Sequence, residues 1–516
     1  MVLFVHANGD NDEAIETAFW GTYRSYPYVG LRCQSPHSPL VGLMWYQPLY
    51  TSSTKTNRPS QASKLTSIKL RHECNYNDNL QAFGWTKHNG ISYAKQNIID
   101  EENQISLMIQ WIKPKVDDDP NHWVLRIKGL ESPPKLLSSP SSQLSLLWYV
   151  ATPNNLTATF NASFNRIIGM QPDRKRGRQR QYCLSMRQSE QKKNRPAHYQ
   201  TNRNETVLYN STYFYAIQVD PSVYYDPKPY LLQELANPTS MVPPHLFDPD
   251  ALYRAATPRT GNQIVNQVFW ELPFQMELHF SYDCETSLPK WDDVTKALEK
   301  ADKEFDATFS EKLLRANKGK NVTLLTNYGW GEFGQRHDDD DSPMRMMTSN
   351  LPEKQHWSLD EIRTAQYSLS NLLGSMTYMF GQGQIYLVEL DKIVHTAERE
   401  LFVIVPDRPN HGQGYLWDEG FHQHLVSLWD MDLTIAILSS WWNQTSLDGW
   451  IARQQIVGAE IQWSAKPSSW PQVPGTANPP SHHLVLETLL DRASTTKGSK
   501  AYAFFRNTKC QKSIVS

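Results

Sequence analysis

A chain of 516 residues is too long for one small domain and points to two to four. Apolar residues make up 39% and charged residues 20%, enough to build hydrophobic cores, while a formal net charge of −2 removes the electrostatic case for gripping a polyanion. No nucleic-acid partner is expected.

No stretch approaches the roughly 18 uninterrupted apolar residues of a membrane-spanning helix. The opening "MVLFVHANGDNDEAIE" holds too short an apolar run for a signal-peptide core, so no targeting signal is expected within the chain. Five cysteines (Cys33, Cys74, Cys183, Cys284 and Cys510) form no CxxC pair, so no zinc site is expected, and their spacing does not say which are bridged. Asn-x-Ser/Thr triplets at Asn155, Asn161, Asn204, Asn210, Asn321 and Asn443 give weak support to a lumenal or secreted protein. The 17 Trp, 24 Tyr and 18 Phe can stack on sugar rings or fill cores.

In chain order, residues 1–18 read as a tail and 19–285 as a β-sandwich. "YPYVGLRCQ", "LVGLMWYQPLY" and "HWVLRIKGL" are aromatic or β-branched runs bounded by turn residues. In "QVFWELPFQMELHFSYD", Phe274, Met276, Leu278 and Phe280 fall on one strand face, opposite Glu277 and His279. Residues 170–206 are basic and poor in apolar residues, which predicts a solvated loop, and "NPTSMVPPHLFDPD" predicts another. From about residue 292 the period becomes helical, and an all-α region is expected over 286–491. Leu298, Ala301, Phe305, Phe309 and Leu313 make an amphipathic stripe, and Ser358 caps a helix expected to run on through "SMTYMF". "HQHLVSLWD", "LTIAILSSWW" and "HHLVLETLL" predict further helices. The acidic run "HDDDD" at 337–341 lacks the spaced oxygens of a calcium loop. The last residues, 492–516, lose the helical rhythm.

The chemistry centres on "YLWDEGFHQ", residues 415–423. Asp418 is expected as an N-cap, with Glu419 in the first turn favouring the helix dipole. Asp418 is also a candidate acid for protonating a leaving oxygen, given a second carboxylate to activate water. A helix N-terminus favours the ionised form, whereas a general acid must hold its proton, so an apolar neighbour such as Trp417 has to push back. Asp418 and His422, four apart, lack a third metal ligand.

Five long stretches occur in order: "FWGTYRSYPYVGLRCQSPHSPLVGLMW" (19–45), "RHECNYNDNLQAFGWTKHNG" (71–90), "SLSNLLGSMTYMFGQ" (368–382), "YLWDEGFHQ" (415–423) and "DGWIARQQIVG" (448–458). Together they closely resemble glycoside hydrolase family 63, over most of residues 19–490. The resemblance implies an N-terminal β-sandwich packed on an (α/α)6 toroid in the endoplasmic reticulum. It implies an inverting hydrolase that removes the terminal α-1,2-linked glucose from the glucosylated high-mannose N-glycan precursor. The partner is then the glucosylated N-linked oligosaccharide of nascent glycoproteins, with no metal or organic cofactor and no membrane association except through a segment absent here.

By motif match Asp418 takes the general acid's place, and Arg408, Trp417, Phe421, His422, Asp448, Trp450 and Arg453 surround the glucose. Twelve helices need about 300 residues, more than follow residue 292, so the toroid is expected to be incomplete, as in a truncated product. The general base is expected in the part not represented, and no residue is assigned to it. Two positions depart from the family's pattern: Gly412-Gln413-Gly414 stands for Pro-Arg-Gly, and Arg453-Gln454-Gln455 for Arg-Glu-Gln.

Overall fold

The computed structural model describes residues 19–47, 68–113, 122–131, 143–189, 212–235, 259–314 and 357–495, apart from 37, 162–165, 174–177, 283, 286 and 477. The loop expected at 237–250 and the acidic run at 337–341 lie outside the described residues.

The first half is one antiparallel sheet. Its strands are β1 (Trp20–Gly21), β2 (Gly30–Cys33), β3 (Leu40–Tyr46), β4 (Trp85–His88), β5 (Tyr93–Asp100), β6 (Ile105–Ile112) and β7 (Trp123–Glu131). It continues with β8 (Gln143–Asn161), β9 (Arg166–Asp173), β10 (Arg178–Gln188), β11 (Thr212–Ile217), β12 (Arg259–Glu271) and β13 (Phe274–Ser281). The expected sandwich is therefore a single curled sheet. The long β8 makes it continuous: its first part pairs with β3, its last part with β9, and β12 follows it along nearly its whole length.

Alternation decides what each face of β8 buries. Leu144, Leu146, Trp148 and Val150 enter a core that also holds Trp20, Trp45, Trp111 and Trp123. Leu147, Tyr149 and Ala151 face the other way, against Tyr225 and the helix α1 (Lys228–Leu235) through Leu231 and Leu235. In β13 the expected apolar face is the buried one, and Glu277 and His279 on the opposite face are buried too. Glu277 survives there because Arg126 and Arg187 pair with it and His279 lies 2.8 Å away.

The basic stretch 170–206 is corrected in part, with 174–177 and 190–206 outside the described residues. Residues 170–173 and 178–188 are strand, in β9 and β10, because Tyr182, Leu184 and Met186 supply an apolar alternation that the arginines obscure. A disulfide joins Cys183 of β10 to Cys284, just beyond β13.

The second half mixes helices with short strands, which corrects the all-α expectation. Its helices are α2 (Trp291–Phe309), α3 (Leu359–Leu373), α4 (Leu416–Trp429), α5 (Met431–Trp442), α6 (Ala459–Ser464) and α7 (Ser481–Thr495). Val294, Leu298, Phe305 and Phe309 are the buried stripe of α2, and Ser358 and Glu361 close a capping box on α3. The helix α3 stops at Leu373 rather than running on. A Cβ on Gly374 would stand 2.1 Å from the Trp85 ring, and Met376–Gly381 instead pairs as a strand with Arg399–Ile404. Among the described residues no helix is long and apolar enough to cross a membrane.

The motif at 19–45 straps the two halves together. Tyr23 packs edge-on against Phe402, Ser25 hydrogen-bonds Thr377, and Arg24 and Arg32 converge on Glu460 of α6 at 2.5 and 3.0 Å. From the other side, Trp429 Nε1 donates to the Asn89 carbonyl at 3.0 Å.

Candidate active site

The helix α4 begins at Leu416, and its N-cap is Tyr415, which offers no side-chain cap. Asp418 therefore sits in the first turn and is not the cap, correcting the sequence expectation. The backbone sets this register. Gly414 and Tyr415 pair with Gln455 and Gln454, and the Leu416 N–H donates to the Arg453 carbonyl at 3.0 Å. This two-residue ladder brings residues 453–455 to the head of α4.

The two adjacent carboxylates have separate fates. Glu419 is fully buried and accepts from the Ile404 N–H (3.0 Å), Trp441 Nε1 (3.0 Å) and Gln423 Nε2 (2.7 Å). Three neutral donors satisfy this carboxyl inside the core. Asp418 is half-buried, and its Oδ2 is shielded from solvent without a hydrogen-bond partner among the described residues. Beside it Trp417 and Phe421 stand exposed. Gly420 has a packing duty: a Cβ there would lie 2.3 Å from Ser481 Oγ at the head of α7, whose hydroxyl donates to the Trp417 carbonyl at 2.6 Å.

The other expected residues divide. His422 lies half-buried on α4, with Nδ1 3.8 Å from Glu419 and without a hydrogen bond among the described residues. Trp450 Nε1 and Gln454 Oε1 are likewise buried and unpartnered among the described residues, and Gln454 lies opposite Tyr415 in the ladder. Buried polar atoms of this kind are normally met by water or a ligand. Arg453 is exposed, and its charge opposes that of Asp418 at the Tyr415 phenol, which burial first and Asp418 second push above its usual range. Asp448 is exposed in a turn completed by Gly449 at φ +88°, and the Ser446 hydroxyl holds its carboxyl below the usual range.

Arg408 does not share this setting. It is 6% exposed and donates to the carbonyls of Ser25 (2.8 Å), Pro27 (2.8 Å) and Tyr28 (2.9 Å), so it clamps the two halves rather than presenting its guanidinium to a ligand. A cavity of about 390 Å³ between Arg32, Tyr224, Gln382, His395 and Glu460 contains none of the expected site residues. The orphaned polar atoms and exposed aromatics at the head of α4 mark the candidate site better than that cavity does.

Models of the glycosyl hydrolase family 63 N-terminal domain and C-terminal domain match residues 17–245 and 346–512. The chain belongs to glycosyl hydrolase family 63. A mannosyl-oligosaccharide glucosidase of Arabidopsis thaliana is 27% identical over 92% of this chain and 48% of its own length. A probable mannosyl-oligosaccharide glucosidase of Schizosaccharomyces pombe is 26% identical over 95% and 57%, and the mannosyl-oligosaccharide glucosidase of Saccharomyces cerevisiae is 25% identical over 93% and 55%. The chain thus spans about half the length of the curated relatives it matches. A bacterial glucoamylase complexed with acarbose aligns with a TM-score of 0.28 at 8% identity, covering 54% of this chain and 33% of its own, a likeness too slight to carry an argument.

Within this family 63 chain, sequence reasoning missed the supporting residues. Tyr415 accepts from Gln413 Nε2 at 2.7 Å, and buried His482 of α7 stacks edge-on against Trp441. Gln413 stands just outside "YLWDEGFHQ", and Trp441 and His482 meet from two different helices, so the spacing of that motif does not announce them.

Proposed function

We propose that this chain carries the acid-bearing part of an inverting α-glucosidase that acts on the terminal α-1,2-linked glucose of the glucosylated high-mannose N-glycan precursor. The observation that carries the reading is the Asp418 carboxyl in the first turn of α4, with one buried oxygen unpartnered among the described residues, beside exposed Trp417. A glycosidic oxygen placed against that carboxyl would receive its proton as the bond to the anomeric carbon breaks. Trp417 and Phe421 would stack on the sugar's apolar face, and Trp450, Arg453, His422 and Asp448 would meet its hydroxyls. The general base is assigned to no residue of this chain. In this reading residues 286–491 form part of a helical domain of the (α/α)6 type.

The names of the curated relatives support the substrate class. The Cys183–Cys284 disulfide and the exposed Asn443 of an Asn-Gln-Thr triplet suit the endoplasmic reticulum lumen. A second reading, glycan binding without hydrolysis, is favoured by Gln454, which stands where the family pattern carries a carboxylate.

Proton NMR of the first glucose released from a triglucosylated high-mannose oligosaccharide tests the reading. The β-anomer is expected. Release of the α-anomer refutes inversion, and oligosaccharide binding with no release establishes the second reading.

A further inference from the structure

His72, in the stretch "RHEC", is completely buried, and its two ring nitrogens keep different company. Nε2 lies 2.7 Å from the Tyr149 hydroxyl. Nδ1 has no hydrogen-bond partner among the described residues, yet it faces two carboxylates, with Glu73 Oε1 at 3.5 Å and Asp226 Oδ1 at 3.7 Å. Ligand atoms of the three residues all lie within 4.8 Å of one another.

These separations discriminate between two explanations. A protonated imidazole between two carboxylates would draw in to at least one of them, to about 2.7–3.2 Å. Donors that share one tetrahedral ion at metal–donor distances of about 2.0–2.2 Å stand roughly 3.4 Å apart. The two imidazole–carboxylate separations, 3.5 and 3.7 Å, are close to that spacing, and the third pair lies within 4.8 Å. The Nε2 contact bears on such a site: an imidazole that donates from Nε2 to the Tyr149 oxygen would carry its lone pair on Nδ1, where the ion would bind.

We propose that His72 Nδ1, Glu73 and Asp226 form a divalent transition-metal site. One imidazole with two carboxylates suits Zn²⁺ and then Mn²⁺, whereas Ca²⁺ favours an all-oxygen set. Glu73 is partly exposed, which gives the ion its way in and leaves a coordination position for water. The ion would be a staple. It would join the segment at 72–73 to Asp226, whose Oδ1 also accepts the Lys228 N–H at 3.1 Å at the start of α1. Through His72 it would brace Tyr149, which hydrogen-bonds Arg24, and Arg24 in turn holds Glu460. The strap between the two halves would thus end on the metal. Cysteine spacing gave no sign of this site because its ligands are an imidazole and carboxylates brought together from distant segments.

Isothermal titration of the chelator-stripped full chain with ZnCl₂ tests the site, with elemental analysis of the gel-filtered product. About one equivalent of zinc is expected, with the affinity falling at least about tenfold in His72→Gln and in Glu73→Gln. Glu73→Gln alters a partly exposed carboxylate, so near-ultraviolet circular dichroism can establish that this variant is folded. Zinc should raise the thermal midpoint of the wild type and not that of Glu73→Gln. Absence of zinc binding by the wild type, or undiminished affinity in folded Glu73→Gln, would overturn the proposal.

Discussion

The two halves of the molecule treat their apolar and charged side chains differently. Among the described residues the sheet half closes over its tryptophans, and its large exposed apolar side chains are Phe19, Tyr76 and Ile91. The second half presents Trp417, Phe421, Leu428, Leu447, Trp463, Leu484 and Leu490 to solvent. Charges follow the same division. The sheet half buries full ion pairs, Arg126 and Arg187 on Glu277 and Arg71 on Asp100, whereas Glu419 in α4 is held by neutral donors. The sheet is a closed framework, and the head of α4 is an open face whose polar atoms await company.

Substitutions can break this comparison. The largest effect is expected at Glu277→Gln, which leaves two arginines without their buried counter-charge and should cost about 3–5 kcal/mol in urea unfolding. Glu419→Gln puts an amide in front of existing donors and should cost less, roughly 2–3 kcal/mol. Equal costs would show that the two halves are braced alike.

Acid should act chiefly on the sheet half. Burial first, then the charge of Arg408, lowers the His88 imidazole to about 3, and burial with the neighbouring His279 lowers His122 to about 3. Each pKa lies below the unfolded value of about 6.5, so the unfolded chain binds more protons between these limits. Stability is full above about pH 6.5 and falls as the pH drops towards 3. A urea midpoint that stays level from pH 7 to pH 4 would refute this. The smallest effect on stability belongs to Trp417→Ala, which should leave the urea midpoint in place while weakening oligosaccharide binding.

Much of this was legible in the sequence where a local period governs. The alternation of Phe274 to Phe280 and the Ser358 cap are found as read, and the stripe of α2 is found through Leu298, Phe305 and Phe309, with Leu313 beyond the helix end. Legibility failed where a distant partner decides. Strand pairing with Arg399–Ile404 claims the chain just after α3, a buried alternation turns part of a basic run into β10, and the Gly414–Gln455 ladder fixes where α4 begins. The surroundings of Arg408 were illegible for the same reason: the carbonyls of Ser25, Pro27 and Tyr28 that meet its guanidinium come from the other half.

The central proposal is that Asp418 donates the proton. Glucose release from a glucosylated high-mannose oligosaccharide should fall about a hundredfold or more in Asp418→Asn, with oligosaccharide affinity retained. Equal release by the variant and the wild type would contradict it.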